Sequence, residues 1–310
     1  MKISIILPNY NHAPYLQERI DSILNQTHQN FELIILDDCS TDNSRNLLNT
    51  YKNHPKVSHI IYNDINSGNT FLQWEKGLTL ASGDIIWIAE SDDNMHCSFL
   101  EKAIKIFEKN KTIGIVQCGS DWVSEDGSII FCDSLAKNID QVNGKNFILK
   151  YMLDGNSIYN ASAVLFNKDL INLPLDKSIT QLKYCGDWLF WIKILEKTNL
   201  YYLNENLNSF RRHTQTVSNK SEKTGLFYLE GIKIYGYLRT KYNKHNNFYK
   251  WDYRWASKFS LKNYSFKIVI DFVISCFKIN FFMPFYVVFS LFKTCIYRLI
   301  VQIHKKYSCT

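Results

Sequence analysis

Three acids close the run Trp87-Ile88-Ala89-Glu90-Ser91-Asp92-Asp93-Asn94, and they are the strongest chemical signal in the chain. Adjacent carboxylates repel one another, so Asp92 and Asp93 need a cation or hydrogen-bond donors nearby. Hard oxygen ligands on one turn suit Mg²⁺ or Mn²⁺, ions that commonly share their shell with substrate phosphates. A solvated acidic turn is the plainer reading of a random Asp-Asp pair. Position argues against it here. Residues 84–89, apolar and β-branched after Gly83, read as a buried strand, and the acids stand at its C-terminal end. In an open α/β sheet, ligands bind in the crevice beyond the carboxyl ends of the strands.

The elements that must position these acids follow from periodicity. Residues 3–7 read as a first strand, broken by Pro8-Asn9-Tyr10-Asn11. Leu16, Ile20, Ile23 and Leu24 mark a helix over 13–25, with Asn11 as its cap and Pro14 in its first turn. A second strand, 31–36, ends in Asp37-Asp38-Cys39-Ser40-Thr41-Asp42, and a short helix covers 44–51. A third strand, 59–62, is followed by Asn66-Ser67-Gly68-Asn69 and a helix over 71–81. Beyond strand 84–89 come a helix at 99–108 and a strand at 113–118. Such alternation predicts βαβ units and a mostly parallel sheet flanked by helices, an α/β fold. Parallel strands end on one edge, so the three polar clusters should converge there.

Other nucleotide chemistries are disfavoured. No Gly-x-x-x-x-Gly-Lys-Ser/Thr loop occurs, and no Gly-x-Gly-x-x-Gly follows the first strand. The eight cysteines show no Cys-x-x-Cys pair or zinc spacing, the pattern of small hydrophobes in a reducing cytoplasm. Met1-Lys2 leads into too few apolar residues before Pro8 to read as a secretory signal. Charge is asymmetric: residues 1–205 carry a net −7 and residues 206–310 a net +14. A basic segment of that kind points to an anionic partner.

Taken together, Ile5–Asn11, Ser22–Thr27, Leu36–Asp42, Asn66-Ser67-Gly68 and Glu90–Asp93 resemble the family 2 glycosyltransferases of GT-A (Rossmann-like) fold, in order and spacing over about residues 1–215. The resemblance implies transfer of a sugar from a nucleotide-diphosphate donor, UDP-sugar by preference, with inversion and a divalent metal, Mn²⁺ or Mg²⁺. It implies that Pro8, Tyr10 and Asn11 line the base and ribose pocket and that Asp38 accepts from the base ring N–H. Asp92 would meet the ribose region and Asp93 would hold the metal. Tyr10 is equally readable as an aromatic at the core edge, and Asp37 as support for the Asp38 loop. The family often has an Arg in the helix after Asn-x-Gly; Phe71–Gly77 has none, and Lys76 stands as its substitute.

An inverting transfer also needs a carboxylate to take the acceptor hydroxyl's proton. The family places this acid, usually as Glu-Asp, before a short amphipathic helix, which by resemblance makes Asp187 in Cys185-Gly186-Asp187-Trp188 the base, with Gly186 in place of the Glu. An acid in a first helical turn would otherwise simply complement the macrodipole. Phe210-Arg211-Arg212-His213 resembles the stretch that folds over the donor, which by resemblance gives His213 to the metal or diphosphate and Arg211 to an acceptor or phosphate contact. Asn160 and Ser162 are candidates to face the acceptor.

Two segments are expected: a catalytic domain over 1–225 and a basic, aromatic helical tail over 226–310. The apolar run 279–303 is interrupted by Pro284, Lys293 and Arg298, which suits a helix lying in a membrane interface better than a spanning one. Lys258, Lys262, Lys267, Lys278, Lys305 and Lys306 would meet anionic headgroups. A lid on the domain or a homodimer interface is the alternative, and no nucleic-acid module accompanies the charge. The expectation is a cytoplasmic enzyme, peripheral on the inner face of the plasma membrane, that extends a cell-surface glycan or lipid-linked acceptor. Its rivals are a member that binds nucleotide sugar without turnover and a membrane scaffold.

Overall fold

The computed structural model describes residues 1–132, 140–212, 224–243, 248–258 and 264–288. The chain forms two compact units, one of residues 1–150 with 156–214, the other of residues 151–155 with 215–310.

The first unit is built on one sheet. β1 (Ile3–Asn9), β2 (Phe31–Asp37) and β4 (Ile85–Ile88) are buried along their whole length. Their near-continuous apolar sequence reflects burial on both faces, the signature of a parallel sheet covered on each side. β3 (Val57–Tyr62), β2, β1 and β4 lie side by side in that order and all run parallel. On one face Ile3, Ile5 and Leu7 share a core with Leu16, Ile20 and Ile23 of α1 (Ala13–Leu24). On the other, α3 (Thr70–Leu80) carries Gly77 so close to β1 that a Cβ there would lie 2.3 Å from Ile6 Cγ2.

Beyond β4 the sheet becomes mixed. β9 (Val164–Asn167) inserts antiparallel between β4 and β6 (Ile113–Val123). β10 (Asn199–Arg211) runs parallel to β6, with short β5 (Asn94–Met95) and β8 (Gln141–Asn143) antiparallel to β10, and β7 (Ile129–Cys132) antiparallel to β6. The strands of the alternating βα repeat still share one direction, because β9 opposes both β4 and β6. The C-terminal ends of β1, β2, β4, β6 and β10 therefore lie along one edge.

Asn11 does not cap α1. Its Oδ1 accepts from Thr41 N–H at 2.7 Å, and Asp42 Oδ2 accepts from Ala13 N–H at 2.8 Å instead. A distant turn thus closes the helix start.

In the second unit, α8 (Leu226–Tyr242), α9 (Tyr249–Lys258) and α10 (Phe266–Ile279) gather around a fully buried Asp252. Arg239 donates to both its oxygens (2.9 and 3.1 Å), Tyr235 Oη to one at 2.6 Å and Asn280 Nδ2 to the other at 2.7 Å. A buried carboxylate is tolerated only with such saturation. Trp255 stacks on Tyr235 and donates its indole N–H to the Leu153 carbonyl at 2.8 Å. Among the described residues, no helix is long and apolar enough to cross a membrane. Lys262 and residues 289–310, with Lys293, Arg298, Lys305 and Lys306, lie outside the described residues.

Candidate active site

The strand ends converge as their direction requires. Asp37 and Asp38 follow from β2, Asn9 and Tyr10 from β1, and Glu90 to Asp93 from β4. Asp37, fully buried, accepts from Asn9 Nδ2 (2.9 Å), Ser40 N–H (3.0 Å) and Arg45 Nε (3.0 Å). It clamps the turn that presents Asp38. Asn11 and Cys39 in these turns take left-handed backbone, at φ 55° and 64°, a conformation more costly for cysteine than for asparagine.

Asp38 is also buried, and four donors hold it. Asn63 Nδ2, Ser67 N–H and Gln73 Nε2 reach Oδ1 at 2.7 to 2.9 Å, and Ser67 Oγ reaches Oδ2 at 2.7 Å. Gln73, on α3, thus binds the aspartate directly. Lys76 donates to Asn63 Oδ1 at 2.6 Å, so it joins the same network one residue removed from Asp38. Pro8 is buried within β1, and Tyr10, 47% exposed, stands beyond the strand end.

The acidic turn is braced by distant segments. Asp93 is 2% exposed; its Oδ2 accepts from Asn160 Nδ2 at 2.9 Å and its Oδ1 from Arg211 N–H at 3.1 Å. Asn160 caps a short 3₁₀ turn, Ala161–Ala163, and Ser162 Oγ accepts from Glu90 N–H at 3.0 Å. Asn160 was expected to face an acceptor; its amide is instead engaged with Asp93. Arg211, expected at a phosphate, is buried, and its guanidinium donates to the carbonyls of Asp92, Ser124 and Glu125 and to Glu18 Oε2. Those donors are spent on holding the turn. His213 lies outside the described residues.

Charge is poorly balanced there. Burial, then the Asp92 and Asp93 charges, push the Glu90 carboxyl up to about 8, although Trp74 Nε1 donates to it at 3.1 Å. Burial and Asp92 also raise Asp93. Among the described residues Arg19 of α1 offsets them; it is fully buried, with its guanidinium 4.9 Å from the Trp87 ring centre and without a hydrogen-bond partner on any of its three nitrogens. Burial lowers its pKa to about 10 while the charges of Asp93, Asp92 and Glu90 oppose the fall.

This donor set fits a hard divalent cation. The carboxylates are all-oxygen and crowded, burial and then neighbouring acids raise Glu90 and Asp93, and Asp93 keeps acceptor capacity beyond its two amide bonds. Among the described residues no group of three or more His, Cys, Asp or Glu side chains is placed to hold a metal ion by itself.

Asp187 sits in the first turn of α7 (Gly186–Leu195). Its Oδ2 accepts from Asn156 Nδ2 at 2.8 Å and its Oδ1 from Trp188 N–H at 2.7 Å. The adjacent Gly186 is closely packed: a Cβ there would lie 2.4 Å from the Phe71 ring, which would have to shift. Phe71 packs edge-on to Trp74, and Trp74 to Phe190, so α3 and α7 are locked by aromatic contacts beneath the acidic turn. Arg19, Gln73, Asn63 and Asn156 carry no motif. Arg19 alone had a visible signal, a charge inside the apolar stripe Leu16, Ile20, Ile23.

Comparison with known proteins agrees with this geometry. The profile of Glycosyl transferase family 2 matches residues 4–165. TuaG of Bacillus subtilis, whose name assigns it to teichuronic acid biosynthesis, is 27% identical over 238 residues, spanning 74% of this chain and 87% of TuaG. The poly(ribitol-phosphate) β-N-acetylglucosaminyltransferase TarP of Staphylococcus aureus is 30% identical over 230 residues, spanning 71% of this chain and 67% of TarP. The structure of S. aureus TarS 1–349 with UDP-GlcNAc superposes with a TM-score of 0.69 at 19% identity, over 94% of this chain and 84% of TarS 1–349. On the match to the family profile, this chain belongs to the family 2 glycosyltransferases.

Proposed function

We propose that the protein is an inverting glycosyltransferase that moves a hexosyl or N-acetylhexosaminyl group from a UDP-sugar to a hydroxyl of a glycan or lipid-linked acceptor in cell-surface polysaccharide synthesis. The observation that carries this reading is the pairing of a cation-deficient acidic turn, Glu90 to Asp93, with a separately held carboxylate, Asp187, in one unit of the chain. The names of TuaG and TarP and the UDP-GlcNAc bound to TarS favour the surface-polymer and UDP assignments.

In this reading Asp187 takes the proton from the acceptor hydroxyl as its oxygen attacks the anomeric carbon, and the bond from that carbon to the diphosphate breaks. Asp38 and the exposed Tyr10 would bind the base, with Pro8 and Asn11 shaping the loop around it and Asp92 on the ribose side. Asp93 would hold Mn²⁺ or Mg²⁺, which neutralises charge on the departing diphosphate when bound.

The test is a mass-spectrometric screen of nucleotide sugars with Mn²⁺, run beside calorimetry with UDP. Asp187→Asn is expected to lose about 10²- to 10⁴-fold in transfer, the usual worth of a positioned general base, while UDP affinity stays within about twofold. Transfer by the variant at the parent rate would remove Asp187 from the role. Donor binding without any transfer by the parent would leave a binding protein, and no nucleotide binding at all would sink the enzyme reading.

A further inference from the structure

The second unit turns an apolar face outward. Within α10, Phe266 (80% exposed), Ile270, Ile274 and Phe277 recur at intervals of four, four and three residues, which places them on one stripe. Phe272 and Cys276, on the opposite side of the same helix, are fully buried. The stripe continues past Asn280 through Phe281, Phe282, Phe285 and Val288, all more than half exposed, while Met283 and Val287 between them are buried. The inward packing is tight: a Cβ on Gly236 of α8 would lie 3.0 Å from Ile279. The helix is therefore not turned over by loose packing. It is held with Phe266 and Phe277 facing out.

Contiguous exposed apolar surface of this kind marks an interaction site rather than chance exposure. Cations accompany it. Lys267 and Lys278 are exposed along one flank of the stripe, and the one acid on that flank, Asp271, is half-buried. Tyr253 of α9, partly exposed, packs edge-on against Tyr286 and extends the aromatic surface with a phenol group. Residues 206–310 carry a net +14. Phenylalanines for the acyl boundary, tyrosines at headgroup level and lysines beside them are the complement of one surface.

We propose that this face, Phe266 to Val288, docks the protein in the interface of a bilayer containing anionic phospholipid, with α10 lying in the membrane plane. A second copy of the chain fits less well, because self-association would bring like charges together on two strongly basic segments. The inference is independent of the sugar-transfer reading, since it concerns the other unit and is tested without substrate.

The experiment is sedimentation of the full-length protein with vesicles of phosphatidylcholine alone and of phosphatidylcholine with 30% phosphatidylglycerol, alongside analytical ultracentrifugation without lipid. The parent is expected to partition at least tenfold more strongly onto the anionic vesicles, and less so as salt rises. Phe277→Glu with Phe281→Glu should lower that partition at least tenfold, and Lys267→Glu with Lys278→Glu should erase the preference for anionic lipid. All four positions are exposed, so folding is expected to survive, and circular dichroism checks it. Equal partition of parent and Phe variant would overturn the proposal. So would a parent that ignores vesicles yet forms a dimer that the Phe substitutions dissociate.

Discussion

Asn156 donates its side-chain N–H to Asp187 Oδ2 at 2.8 Å, and with Trp188 N–H it fixes both oxygens of that carboxylate. The residue before Asp187 is Gly186, which has no side chain to orient it, and a residue from another segment holds the carboxylate instead. Asn156→Ala is expected to lower kcat about tenfold with the donor KM within about twofold, because it frees the carboxylate to rotate without touching the donor side. A matching rise in KM with unchanged kcat would show that Asn156 acts on binding instead.

Gly186 and Phe71 should be coupled. Gly186→Glu drives a Cβ to 2.4 Å from the Phe71 ring, and overpacking of that kind costs about 1–3 kcal/mol. Phe71→Ala alone is destabilising through the cavity it leaves. The double variant is expected to be more stable than the sum of the two single effects by on the order of 1 kcal/mol. Additive urea-denaturation results would show that the glycine is there for another reason.

Arg19 is a cation without hydrogen bonds set among three acids, so its contribution is electrostatic. Arg19→Met leaves Glu90, Asp92 and Asp93 uncompensated and should cost on the order of 3 kcal/mol in metal-free buffer. Mn²⁺ should recover more stability in the variant than in the parent, since it replaces the missing charge. A variant as stable as the parent without metal would refute this account.

Acid stability should depend on Glu32. Burial raises its carboxyl, but donation from Ser4, Ser82 and Lys2 outweighs that and lowers it to about 2, against an ordinary value of 4.5. The folded state thus binds fewer protons than the unfolded one between those values. Its stabilisation is complete above about 4.5 and is lost as the pH falls toward 2. Glu32→Gln should lower stability at pH 7 by about 1–3 kcal/mol and flatten the decline between pH 5 and 3, as denaturation titrations would read.

Much of this architecture can be read from residue types, for a physical reason. Strands buried on both faces must be apolar throughout, and their ends must be polar, so β1, β2 and β4 and the turns after them announce themselves. β9 does not, because a four-residue apolar strand inserted antiparallel has no period to distinguish it. Site residues divide in the same way. Asp93 and Asp187 stand in motifs, but what braces them is long-range: Asn160 to Asp93 spans 67 residues and Asn156 to Asp187 spans 31. Such partners leave no local pattern. Arg211 shows the converse error, since an Arg beside a predicted site suggests a ligand until its burial and spent donors are seen.

The bond from Arg211 N–H to Asp93 Oδ1 joins positions 118 residues apart. During synthesis the acidic turn therefore leaves the ribosome long before the strand that completes it. A chain ending after β9 lacks the Arg211 N–H, one of the two amide donors to Asp93. Both amide donors to Asp93 are therefore present only once β10 has been made.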